Sequence, residues 1–435
     1  MTNRSTPAPA NFLRRSLRLP TNVLVISLVS FLNDASSEII YPLLPVFLFT
    51  TLAASPAAIG LIEGAAESTS SLLKLFSGYW SDRRGRRKGF VVFGYTLASI
   101  ARPLLGLATS WLHVLVLRFS DRIGKGIRSA PRDAMIADSA SPEERGLAFG
   151  FHRAMDHAGA VVGPLLAYLI LQMVSADPNA PSASDFRQVF LLASVPALCA
   201  VLVAWFLIKE RKRDSPPATT NTAASAASGA VEARVKPRPL HLSLRGFDAN
   251  FKRFLLVIAL FTLSNSSDAF LLLRAREAGI GAAAIPLLWA ALHVCKVISS
   301  VIGGNLSDRF GRKRLIASGW LVYALVYAGF AYADQSGEIW ALFLIYGTYF
   351  GLVEGAEKAL VADLVTPEQR GTAYGLYNLA FGITVLPASF LFGEIWKWQG
   401  ASTAFLASAA VSLLATLLLV SFIKTGKRQP VADTA

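Results

Sequence analysis

One otherwise apolar segment, residues 111–136, carries seven charged side chains at helical spacing. At about 100° per residue they fall within an arc of about 140°, and they are Arg118, Asp121, Arg122, Lys125, Arg128, Arg132 and Asp133. Charges inside an apolar helix are costly unless they face water or one another. Two interpretations stay open. One is a cationic wall selecting an anionic or acidic solute, with Arg118, Arg122 and Lys125 deepest. The other is an internal ion-pair network with Asp121, Asp133 and Asp156.

Acidic residues deep in other apolar segments are candidate proton carriers. Asp34 and Glu38 lie four residues apart in the first segment and so share a helix face. Asp268 is the counterpart of Glu38 in the second part of the chain, and Asp156 lies near the middle of the fifth segment. A carboxyl group removed from water keeps its proton at a pH where an exposed one has lost it. For Asp156, a salt bridge to Arg122 or Arg153 is the alternative.

Further polar side chains at similar depth are candidates for contact with a solute in a central cavity, namely Tyr41, Lys74, Lys296, Glu354 and Glu357. The alternative for Lys74 and Lys296 is ion pairing inside the bundle. For Glu357 it is pairing with Lys358, or with a basic residue of segment 111–136 across a pseudo-twofold axis.

The elements that must position these residues are membrane-spanning helices. Apolar residues make up 53% of the chain, charged residues only 16%, and the mean hydropathy is +0.47; soluble domains carry about 25% charge. Twelve segments are long enough to span a bilayer as helices, at residues 21–49, 56–80, 89–108, 111–136, 144–173, 186–208, 251–273, 281–304, 315–333, 338–362, 369–397 and 401–424.

The basic residues concentrate in alternate loops and at both termini. By the positive-inside rule this predicts cytoplasmic termini in a cell (inner or plasma) membrane. It also explains the net charge of +14 without a nucleic-acid partner. The predicted organisation is a cytoplasmic tail, a first bundle, a cytoplasmic linker, a second bundle and a cytoplasmic tail, at residues 1–20, 21–208, 209–250, 251–424 and 425–435.

A short basic turn occurs twice, 226 residues apart. Residues 78–88 and 304–314 both read Gly-x-x-Ser-Asp-Arg-x-Gly-Arg-basic. A second repeated block begins at Ala137-Asp138 and at Ala362-Asp363. Two halves of six spans each would share one orientation, with a site between them at mid-depth.

The two turns resemble the loop signature of the major facilitator superfamily, found after the second and eighth helices of its transporters. Gly159, Gly163 and Pro164 resemble the fifth-helix motif of its drug:proton antiporter group, although Ala167 replaces a glycine of that pattern. The fourth-helix motif of that group is only partly present, at Arg118. The resemblance covers essentially the whole chain. It implies an all-α polytopic membrane protein with twelve transmembrane helices in two pseudo-symmetric six-helix bundles.

The resemblance also implies a cytoplasmic gate. Arg86 would reach Asp138 in the first half, and Arg312 would reach Asp363 in the second. The other predicted gate residues are Gly78, Asp82, Arg145, Gly304, Asp308 and Arg370. The alternative is that the basic turns only mark the cytoplasmic face of the membrane and have no part in gating. Because the resemblance favours acids in the first and fourth helices, Asp34 and Glu38 rank first as proton carriers, with Asp121 and Asp156 next.

These observations predict a secondary active transporter that moves a small organic solute by alternating access. Proton-coupled efflux by antiport is the first choice, and proton-coupled uptake of an anionic solute by symport is the alternative. A transporter-like membrane sensor without flux is a further alternative. The sequence contains no Gly-x-x-x-x-Gly-Lys-Ser/Thr loop and no Cys/His cluster. We therefore expect no enzyme, metal or cofactor, with a proton gradient as the energy source and a monomer in the lipid bilayer.

Overall fold

A computed structural model describes residues 18–84, 86–141, 144–210, 243–366 and 369–424, except for the side chains at positions 82, 301, 304, 305, 307, 308 and 309. Within these ranges the chain is helical and contains no strand. The fifteen helices are α1 (Thr21–Ile40), α2 (Leu44–Thr50), α3 (Pro56–Arg84), α4 (Lys88–Leu105), α5 (Trp111–Ser139), α6 (Arg145–Val174), α7 (Ala183–Leu192), α8 (Ser194–Leu207), α9 (Ala249–Ser264), α10 (Ala269–Glu277), α11 (Ala284–Phe310), α12 (Arg312–Tyr332), α13 (Ser336–Asp363), α14 (Arg370–Gln399) and α15 (Ala401–Phe422).

Three of the predicted spans are broken helices. The first breaks between α1 and α2, where Pro45 lies in the first turn of α2, because proline lacks the N–H that would continue the ladder. The sixth divides into α7 and α8, and the seventh into α9 and α10. The break before α10 leaves backbone polar groups at Asn265 to Asp268 out of the helix. Unwound backbone at membrane depth is tolerated where it lines a cavity.

Eight helical segments among the described residues are long and apolar enough to cross a membrane. They comprise the three broken spans and the helices α6, α12, α13, α14 and α15. The prediction of an all-α polytopic membrane protein is therefore confirmed. The helices α3, α4, α5 and α11 occupy the other predicted spans, and the count of twelve spans stays a prediction.

The two halves repeat the same helix contacts. In the first half α1 packs on α6 and α8, and α5 packs on α3 and α4. In the second half α9 packs on α14 and α15, and α13 packs on α11 and α12. Small residues let the backbones approach closely. A Cβ atom at Gly94 of α4, for example, would lie 2.5 Å from the carbonyl oxygen of Gly124 in α5.

The halves meet where α3 packs on α14 and where α6 packs on α11. Along the first contact, Gly60 and Gly64 of α3 face Ser389 and Leu386 of α14. Further along α3, the hydroxyl of Ser68 donates to the carbonyl oxygen of Gly382 at 2.5 Å. The space between these two contacts holds the candidate site.

Candidate functional site

A cavity of about 780 Å³ lies between the halves. We call the helix ends next to the two repeated basic turns the basic ends. Toward these ends the lining side chains of Arg153 and Asn378 are exposed, whereas at the opposite end Trp289 is buried. The cavity is therefore open toward the basic ends and closed at the other.

Acidic and basic side chains dominate the cavity lining. The acids are Asp34, Glu38, Glu63, Glu67, Asp121, Asp133, Asp156 and Asp268, and the bases are Lys74, Arg102, Arg122, Lys125, Arg128, Arg132, Arg153 and Lys296. The structure thus brings together the five predicted proton-carrier candidates and, of the predicted substrate contacts, Tyr41, Lys74, Arg122, Lys125 and Lys296.

Three of the lining carboxylates are hydrogen-bonded by neutral donors. The indole N–H of Trp289 donates to Glu38 Oε2 at 2.7 Å, and the hydroxyl of Tyr346 donates to Asp268 Oδ1 at 2.7 Å. The side-chain amide of Asn33 donates to Asp34 Oδ1 at 2.9 Å. None of Asp34, Glu38 and Asp268 forms an ion pair with another described residue within 4.0 Å. Each is held in a definite position without a neutralising cation in contact.

Two buried ion pairs stiffen the wall of the first half. Arg118 binds Glu63 through two bonds, Nε to Oε1 at 3.0 Å and Nη2 to Oε2 at 2.7 Å. Arg102 of α4 binds Asp121 of α5 at 3.2 Å. The prediction that Arg118 lines the substrate cavity is wrong, because its guanidinium is turned onto Glu63 of α3 and is absent from the lining.

Arg102 also connects this wall to the candidate proton carrier Asp34. Its Nη1 and Nη2 atoms donate to the carbonyl oxygen and Oδ1 of Asn33, each at 3.0 Å. Asn33 in turn donates to Asp34. A continuous series of bonds thus runs from Asp121 through Arg102 and Asn33 to Asp34. These bonds orient the carboxylate of Asp34.

The cations deeper along α5 have few partners. The side chains of Arg122 and Lys125 make no hydrogen bond or ion pair with the residues described, and the Nε of Arg122 is buried. Lys74 of α3 lines the same region. On the opposite wall, the Lys296 ammonium lies 3.4 Å from the centre of the Phe350 ring, in cation–π geometry.

Asp156 faces a histidine rather than an arginine. His152 Nε2 lies 3.6 Å from Asp156 Oδ2 one helical turn away. The alternative that Asp156 forms a salt bridge to Arg122 or Arg153 is therefore wrong for this conformation. The other carboxylate oxygen of Asp156 is buried without a hydrogen-bond partner in the described part of the chain.

The glycines of the predicted antiporter motif pack α6 onto α1. A Cβ atom at Gly159 would lie 3.1 Å from the Cβ of Asp34, and one at Gly163 would lie 2.7 Å from the Cβ of Glu38. Pro164 follows inside α6. The motif therefore presses α6 against the helix that carries Asp34 and Glu38.

Two more residues predicted to contact substrate, besides Arg118, lie outside the cavity lining. Glu354 is exposed and pairs with Lys358 on the same helix at 3.1 Å. Glu357 is buried and accepts from Trp320 at 3.0 Å and from the hydroxyl of Tyr377 at 2.6 Å. The alternative that Glu357 pairs with Lys358 or a basic residue of α5 is wrong, because the side chain turns between α12 and α14 instead.

In each half a basic residue of the repeated turn binds the aspartate of the repeated acidic block. Arg312 binds Asp363 and also donates to the carbonyl oxygen of Ala359 at 2.7 Å. In the first half the partner of Asp138 is Arg87, which corrects the predicted pairing with Arg86. Arg86 is exposed.

Of the other predicted gate residues, the structure describes Gly78, Arg145 and Arg370. Gly78 allows α3 to approach Ala130 of α5, since a Cβ atom there would lie 3.3 Å from the Ala130 methyl group. Arg145 donates to the carbonyl oxygen of Ala137 at 3.2 Å, and Arg370 is exposed. The side-chain positions of Asp82, Gly304 and Asp308 lie outside the described set.

Sequence reasoning did not select Arg102, Glu63, Trp289 or Tyr346. A lone arginine in the apolar run 89–108 is a signal that could have identified Arg102, because such a residue needs a buried partner. Trp289 and Tyr346 carry no comparable signal, since aromatic residues are abundant in this sequence and most of them simply pack.

The chain is similar to known transporters over most of its length. The family model of the Major Facilitator Superfamily matches residues 26–356 and 253–435. An uncharacterized MFS-type transporter of Methanocaldococcus jannaschii is 36% identical, over 92% of this chain and 95% of the relative. Sugar efflux transporter B of Salmonella typhimurium is 23% identical, over 96% and 99%. The crystal structure of the nucleoside transporter NupG matches with a TM-score of 0.72 at 13% identity, over 93% and 100%.

Proposed function

We propose that this chain, which belongs to the Major Facilitator Superfamily, is a proton-coupled secondary transporter of a small organic solute. The observation that carries the proposal is the placement of Asp34, Glu38 and Asp268 in one cavity between the halves. Each accepts from a neutral donor and lacks a cation in contact. Such carboxyl groups can take up a proton without breaking an ion pair.

The cavity also suits alternating access. It is closed around Trp289 and open toward the basic ends, which the positive-inside rule assigns to the cytoplasm. Transport would require the halves to rock about the α3–α14 and α6–α11 contacts, so that the cavity opens at the other end. The Arg87–Asp138 and Arg312–Asp363 pairs lie at the basic ends, where they would stabilise one of the two conformations.

Export by antiport is the direction we propose. Gly159 and Gly163 hold α6 against the helix that carries Asp34 and Glu38, so a proton taken up there acts on the contact between those helices. Sugar efflux transporter B, a distant relative, is an exporter by name. Uptake of an anionic solute by proton symport is the second candidate, and it is favoured by Arg122 and Lys125, which have no partner among the described residues.

Flux in proteoliposomes with an imposed pH gradient tests the proposal. A panel of organic acids, sugars and cationic drugs would be added while the pH of the lumen is recorded. We expect one class to change the lumen pH, with the sign separating antiport from symport. Glu38→Gln and Asp34→Asn should each reduce this coupled flux by more than tenfold, about the loss of one general acid–base group.

Glu354→Gln is the matched control, because Glu354 is also a carboxylate in a spanning helix but lies outside the cavity lining. Its flux should stay near that of the unmodified protein. Equal flux in the Asp34→Asn, Glu38→Gln and Glu354→Gln variants would refute proton transfer at this cavity. Solute movement that never changes the lumen pH would do the same.

A further inference from the structure

Three cationic side chains of the cavity have no hydrogen-bond acceptor among the described residues. Arg102 and Arg132 are already paired, with Asp121 and Asp133. The side chains of Arg122, Lys125 and Lys74 make no hydrogen bond or ion pair in the described parts of the chain. A buried guanidinium nitrogen such as Arg122 Nε loses free energy when it has no acceptor. The cluster therefore lacks an acceptor that a ligand can supply.

Glu67 lies near all three of these cations, and Asp34 also acts on Lys125. The charges that act most strongly on Glu67 are those of Lys125, Arg122 and Lys74. Glu67 and Lys74 lie seven residues apart on α3 and so share one face of that helix. None of the three cations bonds Glu67 in the described part of the chain, so the donors of Arg122 and Lys125 stay open to an anionic ligand group.

The wall contributed by the second half is aromatic. The ring of Trp289 lies 5.1 Å from that of Tyr41, and the His293 ring meets it edge-on at 5.0 Å. Phe350 lies under the ammonium of Lys296. Both nitrogens of His293 are buried without a hydrogen-bond partner among the residues described. This surface offers ring faces together with an unused imidazole.

The carboxylates beside this aromatic wall already have donors. Glu38 accepts from Trp289 and Asp268 accepts from Tyr346. An anionic ligand would meet the donors of Arg122 and Lys125, which have no partner among the described residues. The free donors of one wall favour an anionic group, and the rings of the other wall favour a planar body.

We propose that the cavity binds a small organic anion with an aromatic or otherwise planar unsaturated body. Its carboxylate would lie on Arg122 and Lys125, and its planar body against Trp289 and Tyr41. The volume of about 780 Å³ falls in the usual range of small-molecule sites, about 300–1,000 Å³. The ligand would bridge α5 and α11, one helix from each half. This inference rests on the cavity of the proposed transporter and holds for either direction of transport.

The experiment is equilibrium binding to the full-length protein in lipid nanodiscs, with no pH gradient. The probes are cinnamate, 3-cyclohexylpropanoate with a saturated ring, the uncharged cinnamyl alcohol and the cationic 3-phenylpropylamine. Cinnamate should bind about two- to tenfold more tightly than the saturated acid, the usual size of an aromatic contact. The alcohol and the amine should neither bind measurably nor displace it.

Variants separate the two walls. Arg122→Gln and Lys125→Gln should each weaken both acids about ten- to a hundredfold, as expected for a lost charged hydrogen bond. Trp289→Leu should instead abolish the preference for cinnamate over the saturated acid. Trp289→Phe keeps a ring while removing the donor to Glu38, and it should retain that preference.

Lys358→Gln serves as the control, because Lys358 pairs with Glu354 outside the cavity lining, and acid binding should not change. Size-exclusion profiles and melting curves identify any variant that fails to fold. Tighter binding of the amine or alcohol than of cinnamate would overturn the inference, as would the absence of acid binding by the unmodified protein. Proton-coupled flux of another solute class would then still support the proposed function, since the two measurements are independent.

Discussion

The crossing of α4 and α5 in the first half holds Arg102 and Asp121, an ion pair of 3.2 Å with both side chains buried. The second repeated block, at Ala137 and Ala362, has a spacing of 225 residues. At that spacing the equivalent positions in the second half are Tyr327 and Tyr346, at the crossing of α12 and α13, with ring centroids 6.3 Å apart. The helix contacts are the same in both halves. One backbone arrangement is therefore filled with ions on one side and with aromatic rings on the other.

Other equivalent positions show the same contrast. In the first half the Arg128 guanidinium lies 4.5 Å from the centre of the Tyr95 ring. Trp320, the counterpart of Tyr95, stacks on Phe261 at 4.1 Å with an interplanar angle of 4°. The comparison teaches that pseudo-symmetry governs where the helices cross but not the chemistry of each wall. A cavity between two such halves can hold a ligand with two unlike ends.

The largest effect that tests this contrast is expected at Arg102. Arg102→Leu leaves Asp121 as a buried charge without its partner, and it should destabilise the protein by about 3–5 kcal/mol. The double variant Arg102→Leu with Asp121→Leu should recover most of that loss, because an apolar pair resembles the filling of the second half. Unfolding of the purified protein in detergent measures both. Equal losses in the single and double variants would contradict the ionic description.

The loss of stability on replacing a closely packed glycine should also differ between the two halves. A Cβ atom at Gly94 meets backbone, the carbonyl oxygen of Gly124, and the Cβ of Arg128 at 2.7 Å. At Gly319 the nearest atom is a side-chain methyl group of Val353 at 2.3 Å, which makes room only if the valine changes its rotamer. Gly94→Ala should therefore cost about 1–3 kcal/mol of stability, and Gly319→Ala clearly less. A larger loss at Gly319, measured by the same unfolding assay, would show that the second half is the more rigid.

A smaller effect is expected from a hydroxyl of the aromatic crossing. The Tyr327 hydroxyl lies 3.0 Å from Ser266 Oγ in the break before α10. Tyr327→Phe keeps the ring and removes one hydrogen bond, so it should cost about 1 kcal/mol. Thermal unfolding of the Tyr327→Phe and Arg102→Leu variants, measured under the same conditions, compares the two losses of stability. A loss as large as that of Arg102→Leu would mean that the aromatic crossing depends on polar bonds.

The smallest effects on stability are expected at the basic ends, where the halves are most alike. The carboxylates of Asp138 and Asp363 are 42% and 52% exposed, and exposed pairs contribute only about 0–1 kcal/mol. Arg87→Gln and Arg312→Gln should therefore change the melting temperature little and by similar amounts. Both should shift the distribution between open and closed conformations, which distance measurements between spin labels across the basic ends can follow. Arg86→Gln is the matched control, and a shift as large as that of Arg87→Gln would show that loop charge alone matters.

Helical spacing and hydropathy were sufficient for much of this architecture. The helices coincide with the predicted spans to within a few residues, apart from the three breaks. The repeated turns and acidic blocks predicted the pairing of Arg312 with Asp363, and the resemblance carried by those turns led to the family. These features are local: they depend on runs of apolar residues, on spacing along one helix and on repeated motifs.

Which charge meets which partner was decided only by the tertiary structure. Spacing along α5 placed Arg118 and Arg122 on one face, yet Arg118 binds Glu63 while Arg122 is left without an acceptor among the described residues. Glu357 was predicted to contact substrate, with pairing to a cation as the alternative, and instead it binds Trp320 and Tyr377. The physical reason is that spacing along a helix sets which face a residue occupies, whereas an ion pair depends on a few ångströms between helices. Those distances follow from helix rotation and packing, which no single segment of the sequence contains.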